Sequence, residues 1–140
     1  MRVHPSIPIE SAPTHGGRAA GAPARLTYVA LLAMLLAATV FEVVEHGHWG
    51  AALAGGLGPD LALLLGGGAG LVPGQLHARA VPLYNALHRF SGPVALLAAA
   101  SLGLLGGAWL IAGLAWAAHV ALDRAVGYGL RTEDGFQRGA

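Results

Sequence analysis

From Leu26 to Val44 the chain reads LTYVALLAMLLAATVFEVV, and Glu42 is the one charge in it. A helix rises about 1.5 Å per residue, so a run of this length can cross a hydrocarbon core of roughly 30 Å. A chain that begins this way must find an apolar environment for the run, and the rest of the sequence offers little polar surface to enclose it. Of the 140 residues, 55% are apolar and 11% charged, with mean hydropathy +0.60. An ordinary soluble domain carries roughly 25% charged residues. The class expected is an integral membrane protein, with the lipid bilayer as its principal partner.

The same composition closes off several functions. Net charge is +1, so no basic field draws in nucleic acid. All eight basic residues are arginine, and cysteine is absent. Disulfides, thiolate catalysis and Cys-based metal sites are therefore excluded. A metal site would have to use His, Asp, Glu or Asn.

Residues 1–25 hold half of the eight prolines and show no apolar period. They are expected to form a flexible tail. A secretory signal has a short basic start followed by an apolar core. Here a long polar stretch comes first, which argues against cleavage.

The second apolar run, Trp49 to Val72, is interrupted by Gly55-Gly56-Leu57-Gly58-Pro59-Asp60. Proline suits a first helical turn and a nearby acid complements the helix dipole. The stronger helix is expected to begin near Pro59 and to end in Gly66-Gly67-Gly68-Ala69-Gly70. Residues 49–58 would then span or re-enter as a half-helix. The third run extends from Val81 to Leu105 with Pro93 as a kink, and the fourth from Ala108 to Tyr128. The expected fold is all-α: a four-helix transmembrane bundle at residues 26–130, with a polar C-terminal tail at 131–140. Gly66 and Gly70, Gly103 and Gly107, and Gly113 and Ala117 stand four apart, a spacing that lets helix backbones approach.

Arginine placement sets the orientation. Arg2, Arg18 and Arg25 precede the first run, Arg79 lies between the second and third, and Arg124, Arg131 and Arg138 close the chain. The other two connections carry none. Both termini are expected in the cytoplasm of a bacterial cell, in a multi-pass inner-membrane topology. Arg89, about two turns into the third run, stands apart from this pattern. Tyr84 and Tyr128 read as interfacial anchors.

Ionisable groups inside membrane segments cost about 2.5 kcal/mol or more at the centre, so each marks a candidate site. Five polar positions qualify: Asp60, Asn85, His88, His119 and Asp123. Asn85 and His88 are three apart, and His119 and Asp123 four apart, so each pair is expected on one helix face. A His and a carboxylate one turn apart can share a metal ion, act as base and orienting acid, or hydrogen-bond each other. His88, His119 and Asp123 are the candidate metal ligands, and a divalent metal the candidate cofactor. Buried His and Asn also commonly fix helix register, and an ion pair with Arg124 would account for Asp123. Glu42, Glu45 and His46 share a face near the outer boundary, where they are a weaker cation candidate. No HExxH pattern, phosphate loop or nucleophile elbow occurs.

Three blocks carry a resemblance: Pro59-Asp60-Leu61, Tyr84-Asn85-xx-His88, and Ala118-His119-xxx-Asp123-Arg124-xx-Gly127-Tyr128-Gly129-Leu130. They resemble domain-of-unknown-function family 4260, small bacterial membrane proteins, over about residues 26–136. The match departs at Ala62-Leu63-Leu64-Leu65, where the family has a Ser and a Gly-Tyr, and at Val120-Ala121, where it has Ile-Gly. Family members continue past the Phe with a Thr-His-Leu-Gly block, where Gln137-Arg138-Gly139-Ala140 stands here; if that histidine matters, this copy is impaired. The resemblance implies a helical membrane fold and weight on these positions, but no reaction.

Three functions fit these residues. One is a membrane-embedded hydrolase acting on a lipid or small amphiphile, with His119 as base or ligand, Asp123 its partner, His88 a second ligand and Asp60 a third ligand or acid. Another is a small transport or proton-relay component, which at this length requires a homo-oligomer. The last is a structural membrane partner without catalysis.

Overall fold

The computed structural model describes residues 21–139, so most of the expected N-terminal tail lies outside the described residues. The chain is mostly helical. Helix α1 (Ala22–His46) starts with Pro23 in its first turn and stops at Gly47, whose φ of 81° ends the helix. Only Thr39 and Val43 of its 25 residues are buried. After a two-residue turn, α2 (Trp49–Leu57) runs back.

The expected break at Gly55–Asp60 takes a milder form. Gly58-Pro59-Asp60 tightens into one 3₁₀ turn, and α3 (Leu61–Leu64) follows directly. Pro59 falls in the first turn of the new segment, where its missing N–H costs nothing. The longer helix therefore precedes Pro59 rather than following it, and residues 49–57 form a helix of nine residues.

The third run also divides. A 3₁₀ turn at Ala78–Ala80 leads into α4 (Val81–Leu87) and, after an elbow at residues 88–90, α5 (Ser91–Ser101). The break lies at His88, with φ −101° and ψ 18°, ahead of the expected kink; Pro93 sits within the first turn of α5. Helix α6 (Gly107–Val126) is continuous, and Gly127, at φ 95°, caps it in the left-handed conformation.

Helix α6 is the axis of the fold, packing against α1, α2 and α5. Its buried residues are Ile111, Gly113, Ala115, Ala117, Ala118, Val120 and Ala121. Small side chains here let three helices come close. Gly55 of α2 lies against the backbone of Ala112, and Gly113 takes the side chain of Leu97. Of the expected close-approach glycines, Gly70, Gly103 and Gly107 face open space. Helices α1 and α6 are each long and apolar enough to cross a membrane.

The C-terminal stretch, expected as a polar tail, is an antiparallel hairpin: β1 (Tyr128–Arg131) and β2 (Gln137–Gly139). Gly135, at φ 87°, makes its turn, and the Gly135 carbonyl accepts from the Leu76 N–H at 3.0 Å. The hairpin thus ties the loop before α4 to the end of α6.

Candidate metal centre

The elbow after α4 creates the site. A helix end leaves carbonyls without intrahelical partners. Here α6 supplies donors for them: Trp116 Nε1 donates to Leu87 O at 2.6 Å, and Arg124 Nη2 donates to His88 O at 2.8 Å. The second Arg124 nitrogen, Nη1, donates to Tyr128 O at 2.6 Å. One guanidinium therefore joins the end of α4 to the start of β1. It does not pair with Asp123, as the sequence had allowed.

His88 is fully buried. Its Nδ1 lies 2.8 Å from Tyr84 O, a carbonyl that can only accept. The proton is therefore on Nδ1, and Nε2 is the ring atom left facing the other groups. The Tyr84 ring stacks on the imidazole, with centroids 3.8 Å apart and planes 15° apart. Arg131 covers the Tyr84 ring at 4.9 Å. Tyr84 is 4% exposed, so it supports His88 from the interior instead of anchoring at an interface.

Three side chains from two elements converge on His88 Nε2. His119 Nε2, from α6, lies 3.3 Å away. Asp60 Oδ1, from the 3₁₀ turn after α2, lies 3.4 Å from His88 Nε2 and 3.6 Å from His119 Nε2. Asp123 Oδ2, one turn beyond His119, lies 3.5 Å from His88 Nε2 and 3.9 Å from His119 Nε2. Asp60, His88 and His119 form a compact set of potential ligand atoms, and Asp123 borders it. Of the expected metal ligands, His88 and His119 belong to this set together with Asp60, expected as a third ligand or acid, and Asp123 lies beside it.

Asn85 does not join them. Its Nδ2 donates to Arg131 O at 3.0 Å, and its Oδ1 accepts from Arg131 N at 2.7 Å. The amide is consumed by the Arg131 backbone of strand β1. Glu42 and His46 do meet, at 3.4 Å, on an exposed turn of α1.

Sequence reasoning missed the roles of Tyr84, Trp116, Arg124 and Arg131. Tyr84 stands one turn before His88, a spacing that could have pointed to it; the other three contacts are long-range and carry no local signal.

The chain belongs to the family described as Domain of unknown function (DUF4260), whose model matches residues 25–140. No curated protein and no solved structure matches it.

Proposed function

We propose that this chain is a multi-pass membrane protein holding one divalent metal ion between Asp60, His88 and His119, and that it catalyses hydrolysis there with Asp123 as general base. The observation that carries the reading is the near-equilateral triangle of 3.3, 3.4 and 3.6 Å between the three ligand atoms. The two Asp60 separations, 3.4 and 3.6 Å, are longer than the about 2.7–3.2 Å of a direct N–H···O hydrogen bond. A tetrahedral metal with bonds of about 2.0–2.1 Å separates its ligands by about 3.3–3.4 Å. The triangle fits one face of such a tetrahedron and leaves a fourth position for water.

The surroundings support the same reading. The Nδ1 hydrogen bond to Tyr84 O orients His88 as a carbonyl commonly orients a metal-bound histidine. Two nitrogens and one oxygen suit zinc or a similar divalent ion. Asp123, 16% exposed at its side chain, borders the ligand set closely enough to receive a proton from water in the fourth position. A metal held by these three residues would supply an activated water at neutral pH. Asp123 would take the proton of that water as its oxygen bonds to a carbonyl carbon or phosphorus, and would return it to the leaving oxygen as that bond breaks.

The membrane part of the proposal rests on exposed apolar surface. Leu26, Met34, Phe41 and Val44 on α1 are each more than 60% exposed, as are Leu53, Leu57 and Leu64 on α2 and α3. Apolar faces this extensive require a partner, and lipid satisfies them on every side.

The test is metal content of the full chain purified in detergent after growth with zinc. Wild type is expected to carry about one equivalent, and the ligand variants Asp60→Asn and His119→Ala far less, with helical circular dichroism retained. Equal metal in all three, or none in wild type, overturns the centre.

A further inference from the structure

An open apolar pocket of about 290 Å³ is lined among others by Ala54, Pro59, Leu87, Trp109, Ala112 and Trp116. Three of these lie within three residues of Asp60, His88 or His119. Pro59 precedes Asp60, Leu87 precedes His88, and Trp116 lies one turn before His119. On α6, Trp109, Ala112, Trp116, His119 and Asp123 follow steps of three and four, so they form one stripe along one face. The stripe is apolar toward the N-terminal end of α6 and polar toward its C-terminal end.

We propose that this cavity holds the hydrocarbon chain of a single-chain amphiphile whose oxygen-bearing head lies at the Asp60–His88–His119 centre. The proposal rests on the metal reading for the head and on the cavity alone for the tail. From Trp109 to His119 the helix advances about 15 Å, the dimension of an extended alkyl chain rather than of a compact solute. The volume holds roughly ten groups the size of a water molecule, and a methylene is of similar size. No charged side chain lines the cavity, so a polar chain would lose its hydration there without return. An alkyl chain loses nothing polar there.

Trp116 reports on the cavity. In a full-length Trp49→Phe, Trp109→Phe background it is the one remaining tryptophan of three. The probe is 12-bromododecanoic acid added to the detergent-purified protein, with quenching of Trp116 fluorescence as the readout. Saturable quenching is expected. Ala54→Phe, at an exposed lining position, is expected to weaken it by about tenfold or more while leaving metal content unchanged. Asp60→Asn is expected to weaken the acid by about tenfold and to leave 1-bromododecane unaffected.

Quenching that never saturates, or that ignores Ala54→Phe, overturns the tail site. An equal response of acid and bromoalkane to Asp60→Asn overturns the placement of the head. Failure of the metal reading shows separately, as wild-type protein that saturably binds the probe yet contains no metal.

Discussion

His88 Nε2 faces His119 Nε2 at 3.3 Å although 31 positions separate the two residues in sequence. Neither histidine owes this to its own helix alone. His119 projects from an unbroken α6, whereas His88 lies just past the end of α4, turned by the elbow that Arg124 and Trp116 hold. Preorganisation of the centre therefore depends on groups that are not themselves ligands.

Arg124 is the most exposed to test. It makes charged hydrogen bonds to His88 O and Tyr128 O. Each such bond contributes about 1.5–3 kcal/mol, and orienting partners of metal ligands commonly affect affinity by about 10–100-fold. Arg124→Ala is expected to lower the thermal unfolding temperature and to weaken zinc binding together. Arg124→Lys should not restore either, because an ammonium lacks the planar fork that reaches both carbonyls. Full rescue by lysine would remove the clamp argument.

Asn85 gives the opposite pattern. Its two hydrogen bonds fasten α4 to the Arg131 backbone, and loss of a buried partner costs about 1–3 kcal/mol. Asn85→Ala should destabilise the chain while the folded protein retains its full metal content by mass spectrometry. A stoichiometric loss of metal from folded Asn85→Ala protein would return Asn85 to the site.

These two residues also mark what the sequence could and could not convey. His119 and Asp123 were legible as a pair because α6 is regular and a four-residue step keeps one face. Asn85 and His88 were paired by the same rule, but strand β1, remote in sequence, takes up the Asn85 amide. Nothing local announces the end of α4 either: its carbonyls are satisfied by Trp116 and Arg124, which are also remote. Asp60 was legible as an isolated acid in an apolar segment, but its distance to the histidines depends on α2 packing against α6. The hairpin did leave a signal in Asp134-Gly135, a dipeptide that favours tight turns between strands. Its charged setting read instead as a solvated tail.

Asp123→Asn separates chemistry from metal binding. The amide keeps the shape of the carboxylate and cannot take up a proton. Metal content should stay near that of wild type, while hydrolysis of a p-nitrophenyl ester with a medium-length acyl chain falls by about 10²–10⁴-fold. Undiminished turnover would assign the base elsewhere; loss of the metal would make Asp123 a ligand.

Gly55 tests the packing that delivers Asp60. A Cβ at this position would run into the Ala112 carbonyl, which is backbone and cannot rotate away. Gly55→Val should force α2 off α6, at a cost of about 1–3 kcal/mol typical of overpacked cores. Asp60 follows the same segment by five residues, so zinc affinity should fall with stability. At the neighbouring Gly56 an added Cβ meets nothing within 4 Å, so Gly56→Val should leave zinc affinity intact. Equal behaviour of the two variants would show that the α2–α6 contact does not set the position of Asp60.

The proposed topology can be tested directly because the chain contains no cysteine. A single introduced cysteine is then the one thiol available to label. Arg124 and Arg131 lie at the hairpin end of α6, and Arg79 lies in the loop that docks on that hairpin, so these charges gather at one end of the fold. Cytoplasmic loops concentrate such charges. The opposite end carries the turn between α5 and α6, where Leu104 is 72% exposed and no arginine is near in sequence. With a membrane-impermeant maleimide on intact cells, Leu104→Cys should label and Glu133→Cys should label only after lysis. The reverse pattern would invert the orientation and place the Asp60–His88–His119 centre nearer the outer face. Labelling of both in intact cells would mean that α6 does not cross the membrane.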